Sequence, residues 1–199
     1  MDESIDSIAT TLLRGVQEGE NGAWSRFVQL YSPWVYYWCR KRGLQPIDAE
    51  DVGQEVFVAV SRKVEDFRRG GEGHTFRGWL HTITSNKVKD FWRKDGNSPG
   101  GQGGATAQKV IDQIEEPPEQ ADVAKETRMW FQQVLEMVRQ NFSESSYLAF
   151  VKYVIEEHDA SATAQDLGIT RNQVFLAKSR ILKWLRDNLG DDIAGVLPK

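Results

Sequence analysis

Ser161-Ala162-Thr163-Ala164-Gln165-Asp166-Leu167-Gly168-Ile169-Thr170-Arg171-Asn172-Gln173-Val174 reads as a short helix, a tight turn and the start of a longer helix. Ala164 and Leu167 give the first helix an apolar side. Gly168 supplies a residue that can take a positive φ, and Ile169 fills the corner. Thr170 is placed to cap the second helix, with Gln173 three residues on to complete a capping box. Val174, Ala177, Ile181 and Leu185 then recur at helical spacing and are expected to face inward. Arg171, Asn172, Gln173, Phe175, Lys178 and Ser179 fall at or near the outer N-terminal face, the part of a helix-turn-helix that enters a major groove. Arg can pair with guanine, and Asn or Gln with adenine, through two hydrogen bonds. Lys183 and Arg186 suit phosphate, which positions a protein without specifying sequence. An ordinary helical hairpin with a solvated basic face would carry the same pattern.

Outward from this stretch, helical spacing continues and little resembles strand. Helices are predicted over residues 6–17, 23–31, 34–42, 48–64, 76–94, 122–141, 143–157, 161–167 and 171–188. Ser32-Pro33 fits an N-cap and first helical residue for the third; alternatively, Pro33 kinks one long helix. Arg40, Lys41 and Arg42 suit a helix C-terminus stopped by Gly43. Between the halves lies Gly96-Asn-Ser-Pro-Gly-Gly-Gln-Gly-Gly104 and later Glu115-Glu-Pro-Pro-Glu119, a composition that cannot support a packed core. The expected architecture is all-α: a helical domain over 1–95, a flexible acidic linker over 96–120, a second helical domain with the helix-turn-helix over 121–190, and a tail, 191–199.

Composition narrows the function. No run of eighteen apolar residues occurs, so no membrane insertion is expected, and the acidic start lacks the order of a signal peptide. Cys39 is the single cysteine and the three His do not group at ligand spacing, which argues against a disulfide framework or a metal cofactor. A reducing, cytoplasmic setting follows. The net charge of −4 conceals a pattern. Residues 67–94 hold seven basic side chains against Glu72 and Asp90, whereas residues 95–126 hold seven acidic ones against Lys109 and Lys125. For binding nucleic acid, the local charge matters more than the total.

In the basic segment, Phe76-Arg-Gly-Trp-Leu-His-Thr-Ile-Thr-Ser-Asn-Lys-Val-Lys-Asp-Phe-Trp-Arg-Lys94 joins an apolar stripe to a basic, aromatic outer face. Asn86, Lys89, Asp90 and Arg93 share one side, suited to following a phosphate backbone. Trp92 is suited equally to the core and to stacking on an unpaired base. The preceding Gly-rich loop carries Arg68, Arg69 and His74. In Asp48-Ala-Glu-Asp-Val-Gly-Gln-Glu-Val-Phe57, Asp48, Asp51 and Glu55 lack an accompanying His and a second carboxylate helix, so a protein-docking or solvated face is preferred to a metal site. Val52, Val56, Ala59, Val60 and Val64 form the apolar stripe of that helix. No Gly-rich phosphate loop with Lys-Ser/Thr is present.

The order Asp-Ala-Glu-Asp-Val-x-Gln-Glu-Val-Phe, then Phe-Arg-Gly-Trp-Leu-x-x-Ile-x-x-Asn-x-x-x-Asp-x-x-Arg, then a linker and a terminal helix-turn-helix resembles the extracytoplasmic-function (ECF) sigma factors. The resemblance implies a non-enzymatic protein that binds core RNA polymerase, through the β′ clamp helices and the β subunit, and directs promoter recognition, DNA melting and transcription initiation. It makes Asp48, Asp51, Gln54 and Glu55 polymerase contacts. It assigns Arg68, Arg69, His74, Asn86, Lys89, Trp92 and Arg93 to the melted −10 element. Arg171, Asn172, Gln173, Phe175, Lys178, Ser179 and Lys183 would read the −35 element as duplex. An anti-sigma partner is compatible with it, although no motif identifies one. The sequence departs from the family at Gly53, at Ala162-Thr163-Ala164 and at Phe175, where a polar residue facing DNA is usual. The competing reading, a stand-alone helix-turn-helix regulator of duplex DNA, leaves the 48–64 and 76–94 helices without a purpose.

Overall fold

A computed structural model of the chain describes residues 2–64, 67, 75–95 and 120–197. Among these residues all regular structure is helical: α1 (Asp2–Gln17), α2 (Ala23–Lys41), α3 (Pro46–Lys63), α4 (Phe76–Asp95), α5 (Gln120–Asn141), α6 (Glu144–Phe150), a π-helical turn (Val151–Ile155), α7 (Ala160–Leu167), α8 (Arg171–Leu189) and a 3-10 turn (Asp191–Gly195). The contacts divide the chain into two units, residues 16–130 in one and residues 1–15 with 131–199 in the other.

In the first unit, α2, α3 and α4 pack on one another. Pro33 lies inside a single α2 and does not start a new helix. The reason is tertiary: Phe27, Leu30, Tyr31, Trp34, Val35 and Trp38 form one buried stripe running past the proline. Burial of several large side chains at roughly 1.5–3 kcal/mol each outweighs a proline cost of about 3 kcal/mol. Gly43, at φ 86°, follows the helix as expected. Phe27 and Tyr31 meet Phe76 of α4 at ring distances of 5.7 and 4.8 Å. From α3, Val52, Val56 and Val60 are buried, as is Val64 just beyond it, while Ala59 is half-buried. Gly53 faces α2, where an added Cβ would stand 3.8 Å from Val35, an ordinary contact.

The start of α5 belongs to this same unit, not to the C-terminal one as composition suggested. Two carboxylates one turn apart decide this. Glu126 is fully buried and accepts from Trp38 Nε1 at 2.6 Å and from Arg77 Nε, while its backbone carbonyl accepts from Trp34 Nε1 at 2.7 Å. Asp122 accepts from Tyr37 Oη at 2.8 Å and Lys41 Nζ at 2.7 Å. Burial resists ionisation of Asp122, but the Lys41 and Tyr37 hydrogen bonds outweigh it and hold the carboxyl below its usual range.

The second unit also departs from the expected boundaries. The stretch expected as a tail forms the 3-10 turn, with Ile193 and Val196 buried. Residues of α1 lie against it: Ser7 Oγ donates to Asp192 at 2.5 Å, and a Cβ on Gly190, which sits at φ +88°, would lie 3.3 Å from Thr11. The helix expected over 143–157 stops being α-helical at Phe150 and continues as the π-helical turn, ending near Glu157 at φ 56°. The expected 96–120 linker lies outside the described residues except for Gln120.

Two stability outcomes follow from these contacts. Glu126→Ala strips Arg77 and Trp38 of a buried acceptor and is expected to cost about 3–5 kcal/mol in urea unfolding; a loss under about 1 kcal/mol would show that the pair contributes little. Gly53→Ala removes a helix-interior glycine where a methyl group fits. It is expected to raise stability by about 0.5–1 kcal/mol, and any destabilisation would show that α3 needs that close approach to α2.

Candidate nucleic-acid interface

The buried valine stripe of α3 leaves the opposite side of the helix outward. There Asp51, Gln54 and Glu55 are exposed and Asp48 is half-buried. Ile47 and Val58 join them as large exposed apolar residues, at 73% and 49% exposure. Ile47, Asp51, Gln54 and Val58 are spaced four, three and four apart, so they form one outward row. Sequence reasoning missed the two apolar ends, although a second apolar row opposite the valine stripe was a readable signal. Asp51, Gln54, Glu55, Val58, Ala59 and Arg62 line a shallow groove of about 360 Å³ with Lys87 of α4. Lys87 Nζ reaches Glu55 Oε2 at 3.3 Å, which gives that carboxylate a cationic partner within the unit.

On α4, Asn86 and Arg93 are exposed and Lys89 is half-buried, along one face. Arg93 pairs with Asp90 at 3.6 Å, an exposed contact that contributes little to stability. Trp92 is half-buried, edge-on to Phe91 at 5.2 Å, and its indole N–H is buried without an acceptor. Trp79 is half-buried, not fully core, and stacks obliquely on Phe67 at 5.0 Å. Arg68, Arg69 and His74 lie outside the described residues.

A polar contact that sequence reasoning did not find also joins α4 to the C-cap of α2. Arg42 Nη2 lies 2.6 Å from His81 Nε2 and donates to Ser85 Oγ at 3.1 Å. A guanidinium can only donate, so Nε2 must be the accepting, unprotonated nitrogen of a neutral imidazole. Burial first, then the Arg42 and Arg77 guanidiniums, lower the His81 pKa to about 4. Burial likewise pushes the Cys39 thiol up to about 12, which leaves it a small apolar core group.

α7, the turn at Gly168 and α8 form as their local signals require. Asp159 caps α7 by accepting from Ser161 N at 2.7 Å and Ala162 N at 3.2 Å, and Gly168 turns the chain at φ 63°. Thr170 and Gln173 form the capping box of α8. Ile169 packs against Ala160, Ala164 and Val174, and Ala177, Ile181 and Leu185 are buried. Arg171, Asn172, Ser179 and Lys183 are exposed and Lys178 is half-buried. Gln173 is exposed, but its Oε1 accepts from Thr170 N at 2.7 Å and Thr170 Oγ1 at 2.9 Å. Two-point pairing with adenine would therefore require giving up the cap. Leu176 and Arg180, which sequence reasoning did not single out, are also exposed on α8.

Residues 27–98 match the family model of Sigma-70 region 2. The chain is similar to the ECF RNA polymerase sigma factor SigE of Mycolicibacterium smegmatis, 36% identical over 74 residues, covering 37% of this chain and 27% of the relative. It is also similar to the ECF RNA polymerase sigma factor BldN of Streptomyces coelicolor, 33% identical over 82 residues, covering 41% and 30%. With the RNA polymerase sigma factor NccH of Alcaligenes xylosoxydans xylosoxydans it shares 29% identity over 92 residues, 46% of each. The matched part spans less than half the length of each of these curated relatives.

The neutral imidazole sets a pH dependence. Unfolded His81 takes a proton near its ordinary pKa of about 6.5, whereas in the fold it does so only near 4. Its contribution is therefore complete above about pH 6.5 and is lost as pH falls toward 4. The lowered Asp122 carboxyl adds its loss only below that window. His81→Gln, which keeps an acceptor for Arg42, is expected to flatten the melting temperature between pH 6.5 and 4. An unchanged slope would assign the acid loss to other groups.

Proposed function

We propose that this chain, whose residues 27–98 match the family model of Sigma-70 region 2, acts as an ECF-type sigma factor that binds core RNA polymerase and directs it to promoter DNA. The observation that carries the reading is the region 2 match over residues 27–98, which takes in both the outward row of α3 and the Asn86–Arg93 face of α4. Asp51, Gln54 and Glu55, flanked by Ile47 and Val58, give α3 the mixed polar and apolar row that a helix-on-helix docking surface needs; the β′ clamp helices are the partner. Asn86, Lys89 and Arg93 follow the backbone of the melted −10 strand, with Arg68, Arg69 and His74 from the preceding loop. Trp92 serves mainly as packing beneath that face, because it is partly buried and its indole N–H is covered.

The helix-turn-helix reads the −35 element as duplex, with Arg171 and Asn172 at base edges and Ser179, Lys183 and Arg186 nearer phosphate. Neither DNA contact is extensive, so the free protein binds promoters weakly. Polymerase fixes both at promoter spacing, and the second contact becomes effectively intramolecular. The energy for opening comes from capturing unstacked bases, and the protein itself catalyses nothing.

Run-off transcription from genomic fragments, with bacterial core polymerase and with or without this chain, tests the proposal. New discrete transcripts with shared upstream elements are expected. Asn86→Ala should lower open-complex formation while leaving polymerase binding unchanged. Absence of both transcripts and polymerase binding would overturn the reading in favour of a stand-alone duplex-DNA regulator.

A further inference from the structure

A bulky aromatic stands on the outward side of α8. Phe175 is 41% exposed, one turn beyond Arg171 and one turn before Lys178. It is not loose. Tyr153, in the π-helical turn, meets it edge-on at 5.6 Å and 70°. The Arg171 guanidinium lies 6.0 Å from the Phe175 ring centre, and Lys178 Nζ lies 5.2 Å from that of Tyr153. Two cations thus flank an aromatic pair whose outer member keeps an open apolar surface.

Phosphates would engage the cations but have no use for the ring. In the major groove the apolar feature of the base edges is the C5-methyl group of thymine. The helix also has fewer polar readers than its sequence suggests, because the Gln173 carbonyl oxygen is held in the cap. We propose that Phe175, ordered from behind by Tyr153, determines sequence specificity by packing on a thymine methyl in the −35 element, with Arg171 and Lys178 on either side. The inference rests on the reading of α8 as the −35 helix and adds the chemistry it selects: an A·T pair, distinguished by its methyl group and not by a hydrogen bond.

Replacing thymidine by deoxyuridine removes that methyl group and nothing else. The experiment takes holoenzyme assembled from this chain and core polymerase on a promoter found by run-off transcription. Each −35 thymidine, on either strand, is replaced singly by deoxyuridine. One position is expected to lose about three- to fivefold in binding, the value of one buried methyl(ene) group, and Phe175→Ala holoenzyme should bind the thymidine and deoxyuridine forms equally. Because the change is in the DNA, the wild-type result does not depend on any variant folding. If scrambling the −35 element abolishes binding but every deoxyuridine is silent, or if Phe175→Ala keeps the discrimination, the methyl contact is wrong and the −35 reading stands. A −35 element without any A·T pair would overturn the inference in the same way. If scrambling the −35 element has no effect, the underlying reading of α8 fails, and this inference with it.

Discussion

A fully buried carboxylate, Glu126, closes the first unit. Its side chain takes hydrogen bonds from the Trp38 indole of α2 and the Arg77 guanidinium of α4, while its main-chain carbonyl takes the Trp34 indole. Withdrawing a carboxylate from water is costly, and only a full set of donors offsets it. Once the three helices satisfy that demand, their rotation about their own axes is fixed. The Arg42–His81–Ser85 contact fixes α4 against α2 a second time. With α2 and α4 so set, the Asn86–Arg93 face of α4 points outward, and burial of Val52, Val56 and Val60 turns the Asp51–Glu55 face of α3 outward.

The same contacts change the meaning of the charge pattern. Along the sequence, a basic segment is followed by an acidic one, as though the second would repel the DNA that the first attracts. Asp122 and Glu126 belong to that acidic segment, yet both serve as internal partners of Lys41 and Arg77. They are spent on the fold and contribute little field at the surface. Each pair withdraws one cation with its anion, Arg77 of α4 included, so a count along the chain overstates both the acidic and the basic charge at the surface.

The helix-turn-helix shows the opposite balance between local and distant causes. The caps, the turn glycine and the inward row of α7 and α8 act within a few residues of themselves, so the two helices formed over the expected residues. What they present outward was less legible. A capping box needs the Gln173 carboxamide oxygen, and a residue cannot both cap a helix and offer the same atom to a base. Phe175 departs from the polar pattern of its neighbours, and only the neighbouring Tyr153 shows that its ring is held in place.

By itself the sequence determined the helical class, the extent of most helices, the inward rows of α3 and α8, the capped turn at Gly168–Thr170 and the family resemblance. These rest on periodicity, capping and backbone freedom, which act over one or two turns. Only the tertiary structure decided that α2 runs through Pro33, that the start of α5 joins α2 and α4, that α1 lies against the Asp191–Gly195 turn, and that His81 stays neutral. Each of those outcomes depends on which side chains meet across tens of residues of sequence. A local pattern shows that a carboxylate or an indole needs a partner; the choice of partner is made by the sum of all burial at once.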